Sequence, residues 1–406
     1  MNADAIRARD AALGIFWHLA PQAPAPGGTL SALTLAVKDN VDVAGMPTTA
    51  GLAAFEGRVA SRDAPCVAAI RRHGVTILGK VAMHEGALGA TTDLPRPCQN
   101  PLRPGFTPGG SSGGSGAAVA AGFADLAIGT DTMGSVRIPA AYCGVAGLKP
   151  TAGLVPRSGV VPLSPSLDHV GMLARTPRLA ALGLQAMAGE DAADPASRPA
   201  PRGWHAVPAE PVVVHGIRIG LPQPALDATV EPAIRTAWDA AAGRLRDLGA
   251  RVEAVPVPGW EPSPTRRAGL LLIEAEAAAL HEALIGDPAA ATPGFRAALA
   301  YGRDLTGIRL ARALFRLAEA RGGALRALDR CDALLLPTAP QRAFAHGSPP
   351  PHDQADFCAI ANIAGLPALA LPWPAADGGL PASVQLVGHP HAEALLVGLA
   401  EALSAP

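Results

Sequence analysis

Lysine is nearly absent from this chain of 406 residues. The three lysines are Lys38, Lys80 and Lys149, and nearly all other basic residues are arginine. Because arginine stays protonated in proteins, a position that must release a proton near neutral pH needs lysine instead. Lys38 is the strongest candidate for such a task, because it follows the apolar run Leu33–Val37.

Other features are also scarce. Aromatic residues make up 4% of the chain, and the net charge is −1 without an acidic or basic block, which argues against binding to nucleic acid or to an anionic membrane surface. No apolar run is long enough to span a membrane, and residues 1–10 lack the pattern of a signal peptide. Five scattered cysteines without a C-x-x-C pair are typical of reduced thiols, so we expect a cytoplasmic protein.

The histidines form no recognisable metal motif. His84-Glu85 and His281-Glu282 both lack the second histidine of H-E-x-x-H, and His389-Pro-His391 is most simply a surface loop. We therefore expect no metal site.

Short apolar segments alternate with helical ones, which predicts an α/β layered fold. Strands are predicted at 33–37, 75–78, 126–129, 217–221, 251–255, 334–337 and 368–372. Helical segments are predicted at 1–16, 64–73, 230–248, 267–286 and 295–328. The Pro/Gly-rich segment 17–30 is predicted to be a loop, and residues 190–211 a surface connection.

Lys38 has two interpretations. Burial at the end of a strand disfavours the charged ammonium, and a neutral amine is a competent general base. The alternative is a salt bridge with the adjacent Asp39. The local sequence leaves both open.

Two serine-containing segments could carry a nucleophile. Ser135 follows a glycine-containing turn that offers a hydroxyl beside backbone N–H groups, although a helix N-cap is the simpler interpretation of that serine alone. The run 108–116, Pro-Gly-Gly-Ser-Ser-Gly-Gly-Ser-Gly, lacks the lysine of a phosphate-binding loop. It matches G-x-S-x-G at Ser112, but a loop rather than a strand precedes it. A catalytic or structural turn remains.

Together these segments resemble the amidase signature family of serine hydrolases. The matching motifs are Ala36–Asn40, Pro108–Ser115, Gly129–Gly144, Gly147–Thr151, Ser166–Gly171, Asn362–Pro367 and Gly379–Gly388. The resemblance is strong over about 30–175, moderate over 331–390 and weak between. It implies a single large domain over 1–406, whose central mixed β-sheet is covered by helices on both faces. Residues 30–175 would form the catalytic core, 177–330 a variable, helix-rich region that shapes the substrate site, and 331–406 a return to the core.

The resemblance also implies a Ser–cis-Ser–Lys triad. The nucleophile falls on Ser135, the bridging serine on Ser111 after a cis Gly110–Ser111 bond, and the base on Lys38. The backbone N–H groups of Thr132, Met133, Gly134 and Ser135 would form the oxyanion hole. A carboxamide would be hydrolysed through an acyl-enzyme to a carboxylate and ammonia or an amine, without a metal or organic cofactor.

Three further matching residues would support the site: Ser112 and Asp131 as hydrogen-bonding partners, and Arg137. Arg137 could bind a substrate carboxylate or be structural. Met133 departs from the family, which commonly has glycine there, so the acyl site should be narrower.

Alternative functions remain. One is the glutaminase subunit of a tRNA-dependent amidotransferase, against which the short chain, Ile138 and the poorly matching middle region argue. Hydrolysis of a carbamate or ureide uses the same chemistry. An inactive scaffold is opposed by the intact Lys38, Ser111 and Ser135. The expected partner is a small-molecule amide, with no nucleic acid or membrane, and a homodimer is the assembly expected by analogy.

Overall fold

One mixed β-sheet organises the residues described by the computed structural model, 3–375 and 377–405. Its strands are β1 (Phe16–Gln22), β2 (Thr34–Lys38), β3 (Thr76–Val81), β4 (Leu126–Asp131), β5 (Ala146–Lys149), β6 (His169–Ala174), β7 (Arg218–Pro222), β8 (Arg251–Val255), β9 (Ala333–Pro337), β10 (Ala368–Trp373) and β11 (Ala382–Gly388). The spatial order is β1-β3-β2-β4-β6-β5-β10-β11-β9-β7-β8. Strand β2 is parallel to β3 and β4, and β7 is parallel to β8 and β9. The other neighbours are antiparallel.

Helices cover both faces of this sheet. They are α1 (Ala3–Asp10), α2 (Pro65–Arg72), α3 (Gly113–Ala120), α4 (Arg137–Cys143), α5 (Pro177–Met187), α6 (Gln223–Leu226), α7 (Pro232–Asp247), α8 (Pro262–His281), α9 (Pro293–Arg303), α10 (Gly307–Leu328), α11 (Ala359–Ile363) and α12 (Glu393–Ser404). One core packs α2, α5, α7 and α12 on one face, and a second packs α3 and α4 on the other. The predicted α/β fold is confirmed.

Small side chains bring α3 close to the sheet. Along β2, Leu35 and Val37 enter the first core, whereas Ala36 enters the second, beneath α3. This alternation follows from the two-residue period of a strand. In α3 itself, a Cβ added at Gly114 would lie 2.4 Å from the carbonyl oxygen of Ala82. The glycines of segment 108–116 therefore allow close packing of α3, and the segment is not a linker.

The N-terminal predictions are partly wrong. The first helix ends at Asp10 rather than at residue 16. The Asp10 carboxylate accepts hydrogen bonds from the N–H groups of Ile15 and Phe16, where the chain turns into β1. Residues 17–22 of the predicted loop 17–30 belong to β1, whereas residues 23–30 form no helix or strand, as predicted. Strand β1 is the edge of the sheet and pairs only with β3 among the described residues. An edge strand tolerates proline, and Pro21 was one of the residues that led to the loop prediction for this segment.

The middle of the chain has two structural roles. The predicted strands of this region are β7 and β8, which complete one edge of the sheet. Helices α8, α9 and α10 pack around a third apolar cluster. No helix in the described part of the chain is long and apolar enough to cross a membrane.

Candidate active site

The neighbouring parallel strands β2 and β4 bring Lys38 and Thr130 together near their carboxyl ends. The Lys38 Nζ atom lies 2.7 Å from Thr130 Oγ1 and 2.7 Å from Ser111 Oγ. Lys38 and Ser111 are both fully buried. Sequence reasoning assigned no role to Thr130, although it lies within the motif Gly129–Gly144.

Asp39 forms its ion pair with another lysine. Its carboxylate lies 3.3 Å from Lys80 Nζ and accepts the N–H of Thr49 at 2.9 Å. Adjacent residues of a strand point to opposite faces, which separates the side chains of Lys38 and Asp39. No carboxylate of the described residues lies within ion-pair distance of Lys38, so the alternative salt bridge is not formed.

The environment of Lys38 favours its neutral form. Burial lowers the pKa of Lys38 to about 7, against the fields of Asp168 and Asp131, which raise it. Desolvation of an ammonium acts in this direction. A substantial fraction of Lys38 is therefore neutral at physiological pH and able to accept a proton.

Ser135 lies in the turn between β4 and α4. The carbonyl oxygen of Ser135 accepts the N–H of Ser112 at 3.2 Å, which joins this turn to the start of α3. The Gly110–Ser111 peptide bond is cis, as predicted. Helix α4 begins at Arg137, and no side chain caps its first turn. The N-cap interpretation of Ser135 is therefore wrong.

Asp131 organises the backbone of this turn. Its carboxylate accepts the N–H of Gly134 at 2.7 Å and that of Val136 at 3.1 Å. Gly134 has a φ of 128°, a conformation that favours glycine. Its N–H is thus occupied by Asp131, which corrects its predicted place in the oxyanion hole. The remaining predicted donors, the N–H groups of Thr132, Met133 and Ser135, have no acceptor among residues 3–375 and 377–405.

Arg137 is fully buried and fully hydrogen-bonded. Two N–H groups donate to the Asp131 carboxylate, both at 3.0 Å. The others donate to Cys358 O at 3.0 Å, Gln385 Oε1 at 2.8 Å and Asn362 Oδ1 at 2.6 Å. A guanidinium has five N–H donors, so none remains for a substrate carboxylate. This favours the structural one of its two predicted roles.

The Arg137 network holds the carboxylate of Asp131 ionised. Although burial raises its pKa, the Arg137 guanidinium outweighs this and holds the pKa of Asp131 well below its usual range. Sequence reasoning gave Asn362 and Gln385 no role here. Both residues lie in motifs on which the family resemblance rests, and this was the sequence feature that could have indicated a role for them.

A cavity of about 440 Å³ opens in front of Ser135. Thr132 and Met133, from the same turn as Ser135, also line it, whereas Lys38 and Ser111 do not. Much of the opposite wall comes from α8 and α9, within the region predicted to shape the substrate site. The cavity-lining residues from these helices are Arg266, Leu270, Ile273, Glu274, Gly294, Phe295 and Ala298.

Other chemistries find little support in the described residues. They contain no group of three or more His, Cys, Asp or Glu side chains that could hold a metal ion. The five cysteines are buried and free of disulfides. Burial raises the pKa of the thiol of Cys358, whose backbone carbonyl accepts a hydrogen bond from Arg137, to about 12. A thiolate nucleophile is therefore disfavoured at that position.

Comparison with known proteins gives consistent matches. The family model described as Amidase matches residues 18–397. A glutamyl-tRNA(Gln) amidotransferase subunit from Anaeromyxobacter sp. (strain K) is 38% identical over 411 residues, covering 92% of this chain and 82% of the relative. The subunit of the same name from Haloarcula marismortui is 35% identical, and the match covers 94% of this chain and 96% of the relative.

A solved structure is similar over nearly the same span. It is described as a vestigial protein complex that reveals the evolutionary origins of an s-triazine catabolic enzyme. The match has a TM-score of 0.89 and 31% identity, and covers 98% of this chain and 92% of the other. These matches extend across 177–330, where the motifs alone indicated only a weak resemblance.

Proposed function

Since this chain belongs to the amidase signature family of C–N hydrolases, we propose that it hydrolyses a carboxamide to a carboxylate and ammonia or an amine. Ser135 is the proposed nucleophile, and Ser111 and Lys38 relay its proton. One observation carries the proposal. A buried lysine amine, with its pKa lowered to about 7, lies 2.7 Å from the Ser111 hydroxyl beside the turn that presents Ser135 to a cavity.

Acylation begins with attack of Ser135 Oγ on the carboxamide carbon. The Ser135 proton passes to Ser111 Oγ, while the Ser111 proton passes to neutral Lys38 Nζ. The N–H groups of Thr132, Met133 and Ser135 are the candidate donors to the tetrahedral oxyanion. The C–N bond then breaks, and the leaving nitrogen takes a proton back along the same relay. An ester on Ser135 remains.

Deacylation reverses the roles. A water molecule attacks the ester carbon and gives its proton through Ser111 to Lys38. When the ester bond breaks, Ser135 Oγ recovers a proton from the relay, and the carboxylic acid product loses its own proton to solvent and leaves as a carboxylate. Thr130 Oγ1, 2.7 Å from Lys38 Nζ, holds the amine in place through the cycle.

A second candidate is the glutaminase subunit of a tRNA-dependent amidotransferase, with L-glutamine as the carboxamide. The names of the curated relatives favour it. The arguments against it from a short chain and a poorly matching middle region lose their force. The chain covers 96% of the Haloarcula protein, and the matches run through the middle region. Both candidates use the same acyl-enzyme chemistry and differ in substrate and partner.

Ammonia or amine release from a substrate panel separates these functions. The purified chain would be incubated with primary aliphatic amides, anilides, carbamates, ureides and L-glutamine. Turnover of simple amides by the chain alone is the expected result. Turnover of L-glutamine and of no other substrate in the panel, together with copurification of another subunit, would favour the second candidate. Release from no substrate, with no labelling by a fluorophosphonate, would favour an inactive scaffold.

Met133 is expected to restrict the size of the acyl group. Its side chain lines the cavity and packs over Gly269, where an added Cβ would lie 2.7 Å from Met133 Sδ. In Met133→Ala, the ratio of kcat/KM for phenylacetamide over propionamide should rise about tenfold, because one or two methylene groups of pocket space are worth this much. Ammonia release measures both rates.

Gly269→Ala is the matched opposite change. Its new methyl group displaces the Met133 side chain towards the cavity, so the same ratio should fall. If both variants move the ratio in one direction, Met133 does not set the size of the acyl site.

A further inference from the structure

The cavity in front of Ser135 has one acidic side chain without a hydrogen-bonding or ion-pair partner among the described residues. Glu85 also lines the cavity, but its carboxylate accepts the N–H and hydroxyl of Thr292. Arg266 pairs with Asp356 at 2.6 Å. The carboxyl group of Glu274, on α8, makes no hydrogen bond or ion pair within 3–375 and 377–405.

Neither histidine of the cavity wall forms an ion pair with Glu274 among the described residues. His84 is held by Thr91 and Thr92, and burial lowers its pKa to about 4, so it is neutral. His352 is exposed at the rim. The nearest cation that acts on Glu274 is Arg309, which donates to the Tyr301 hydroxyl instead. The cavity therefore carries one unmatched carboxylate.

The position of Glu274 is fixed by helix packing. Helix α9 passes so close to α8 that a Cβ added at Gly302 would lie 1.9 Å from the carbonyl oxygen of Glu274. The wall around the carboxylate is otherwise mostly apolar, and includes Leu270, Ile273 and Phe295. This surface suits a hydrocarbon spacer, and the carboxylate suits a cation at its end.

We propose that the cavity binds amides whose acyl group ends in an alkylammonium, and that Glu274 is the specificity-determining residue that pairs with it. The inference rests on the proposed function, because it places the amide carbon at Ser135. A half-buried carboxylate is costly to ionise, and burial raises the pKa of Glu274 to about 7. An ammonium group in the cavity restores its ionised form, so the pair forms only when such a substrate is bound.

Matched substrate pairs test the proposal. The ammonium series is 4-aminobutanamide, 5-aminopentanamide and 6-aminohexanamide, and each is compared with its methyl-terminated isostere, pentanamide, hexanamide or heptanamide. Because the leaving group is ammonia in every case, all other atoms belong to the acyl group. The wild-type protein should prefer at least one ammonium substrate by about 10- to 100-fold in kcat/KM, which is the range for a hydrogen bond to a charged group.

The variant Glu274→Gln keeps the shape of the side chain and removes its charge. It should lose this preference, because kcat/KM for the ammonium series should fall to the level of the methyl series measured with the same variant. Glu282→Gln, an exposed change just beyond the end of α8, should retain the preference. The proposal is overturned if Glu274→Gln leaves the ratio unchanged, or lowers both series equally.

Binding to Ser135→Ala gives a reading that does not need turnover. Calorimetry should find the ammonium amide bound more tightly than its isostere, and the difference should vanish when Glu274→Gln is added. Equal affinities would refute the role of Glu274. If wild-type protein hydrolyses neither series but the difference in affinity is present, the proposed function fails and the assignment of Glu274 stands.

Discussion

Replacing Ser135 with alanine is expected to lower kcat by about 10⁶-fold, the loss found when the nucleophile of a serine protease is removed. The variant keeps the fold, because only a half-buried hydroxyl at the edge of the cavity is lost. Release of ammonia from the best amide of the panel measures the loss. A fluorophosphonate should label the wild-type protein at Ser135 and leave the variant unlabelled.

Ser31→Ala is a control for this experiment, because Ser31 is exposed and does not line the cavity. It should keep full activity and full labelling. Retention of activity in Ser135→Ala, or labelling at Ser112 of the G-x-S-x-G match, would show that another residue is the nucleophile.

Replacing Lys38 with methionine should lower kcat/KM by about 10²- to 10⁴-fold, the usual contribution of a general base. The pH profile carries the sharper expectation. Lys38 must be neutral to accept a proton, so wild-type kcat/KM should rise with pH through about 7, where Lys38 loses its proton. Below that pH the ammonium has no lone pair. The residual activity of Lys38→Met should lack this acidic limb.

Lys149 supplies a matched control. It is as deeply buried as Lys38, and burial lowers its pKa to about 7 as well, but its Nζ donates only to the carbonyl of Pro150 among the described residues. Rates of Lys149→Met from pH 5.5 to 9 should keep the acidic limb. If the acidic limb is lost in Lys149→Met, or is retained in Lys38→Met, Lys38 is not the group that titrates.

Much of the fold was predictable because local patterns report it directly. The runs of apolar residues at β2, β4 and β9 are buried strands, and burial of both faces is what such runs indicate. The edge strand β1 was missed because it is only partly buried and contains Pro21. Its pairing with β3 depends on a neighbour far along the chain, which no local pattern encodes.

The candidate site was predictable in its residue types but not in their pairings. The alternatives for Lys38 were decided by Lys80, which takes Asp39 as its partner across β2 and β3. Gly134 was assigned to the oxyanion hole because a turn exposes N–H groups, yet the Asp131 carboxylate accepts that N–H. Such competition for a single donor or a single acceptor depends on three-dimensional distances, which spacing in the sequence does not give.

The network around Arg137 has a consequence for when the site can form during synthesis of the chain. Its guanidinium hydrogen-bonds Asn362 and Gln385, which lie 225 and 248 residues further along the chain. Without them, the buried guanidinium loses two hydrogen bonds, each worth about 1.5–3 kcal/mol for a charged group. During synthesis, Lys38, Ser111 and Ser135 therefore all emerge before their scaffold exists. We therefore expect the proposed site to form only once the last fifth of the chain is present, so that a chain truncated before Asn362 retains Lys38, Ser111 and Ser135 but not the network that orders their surroundings.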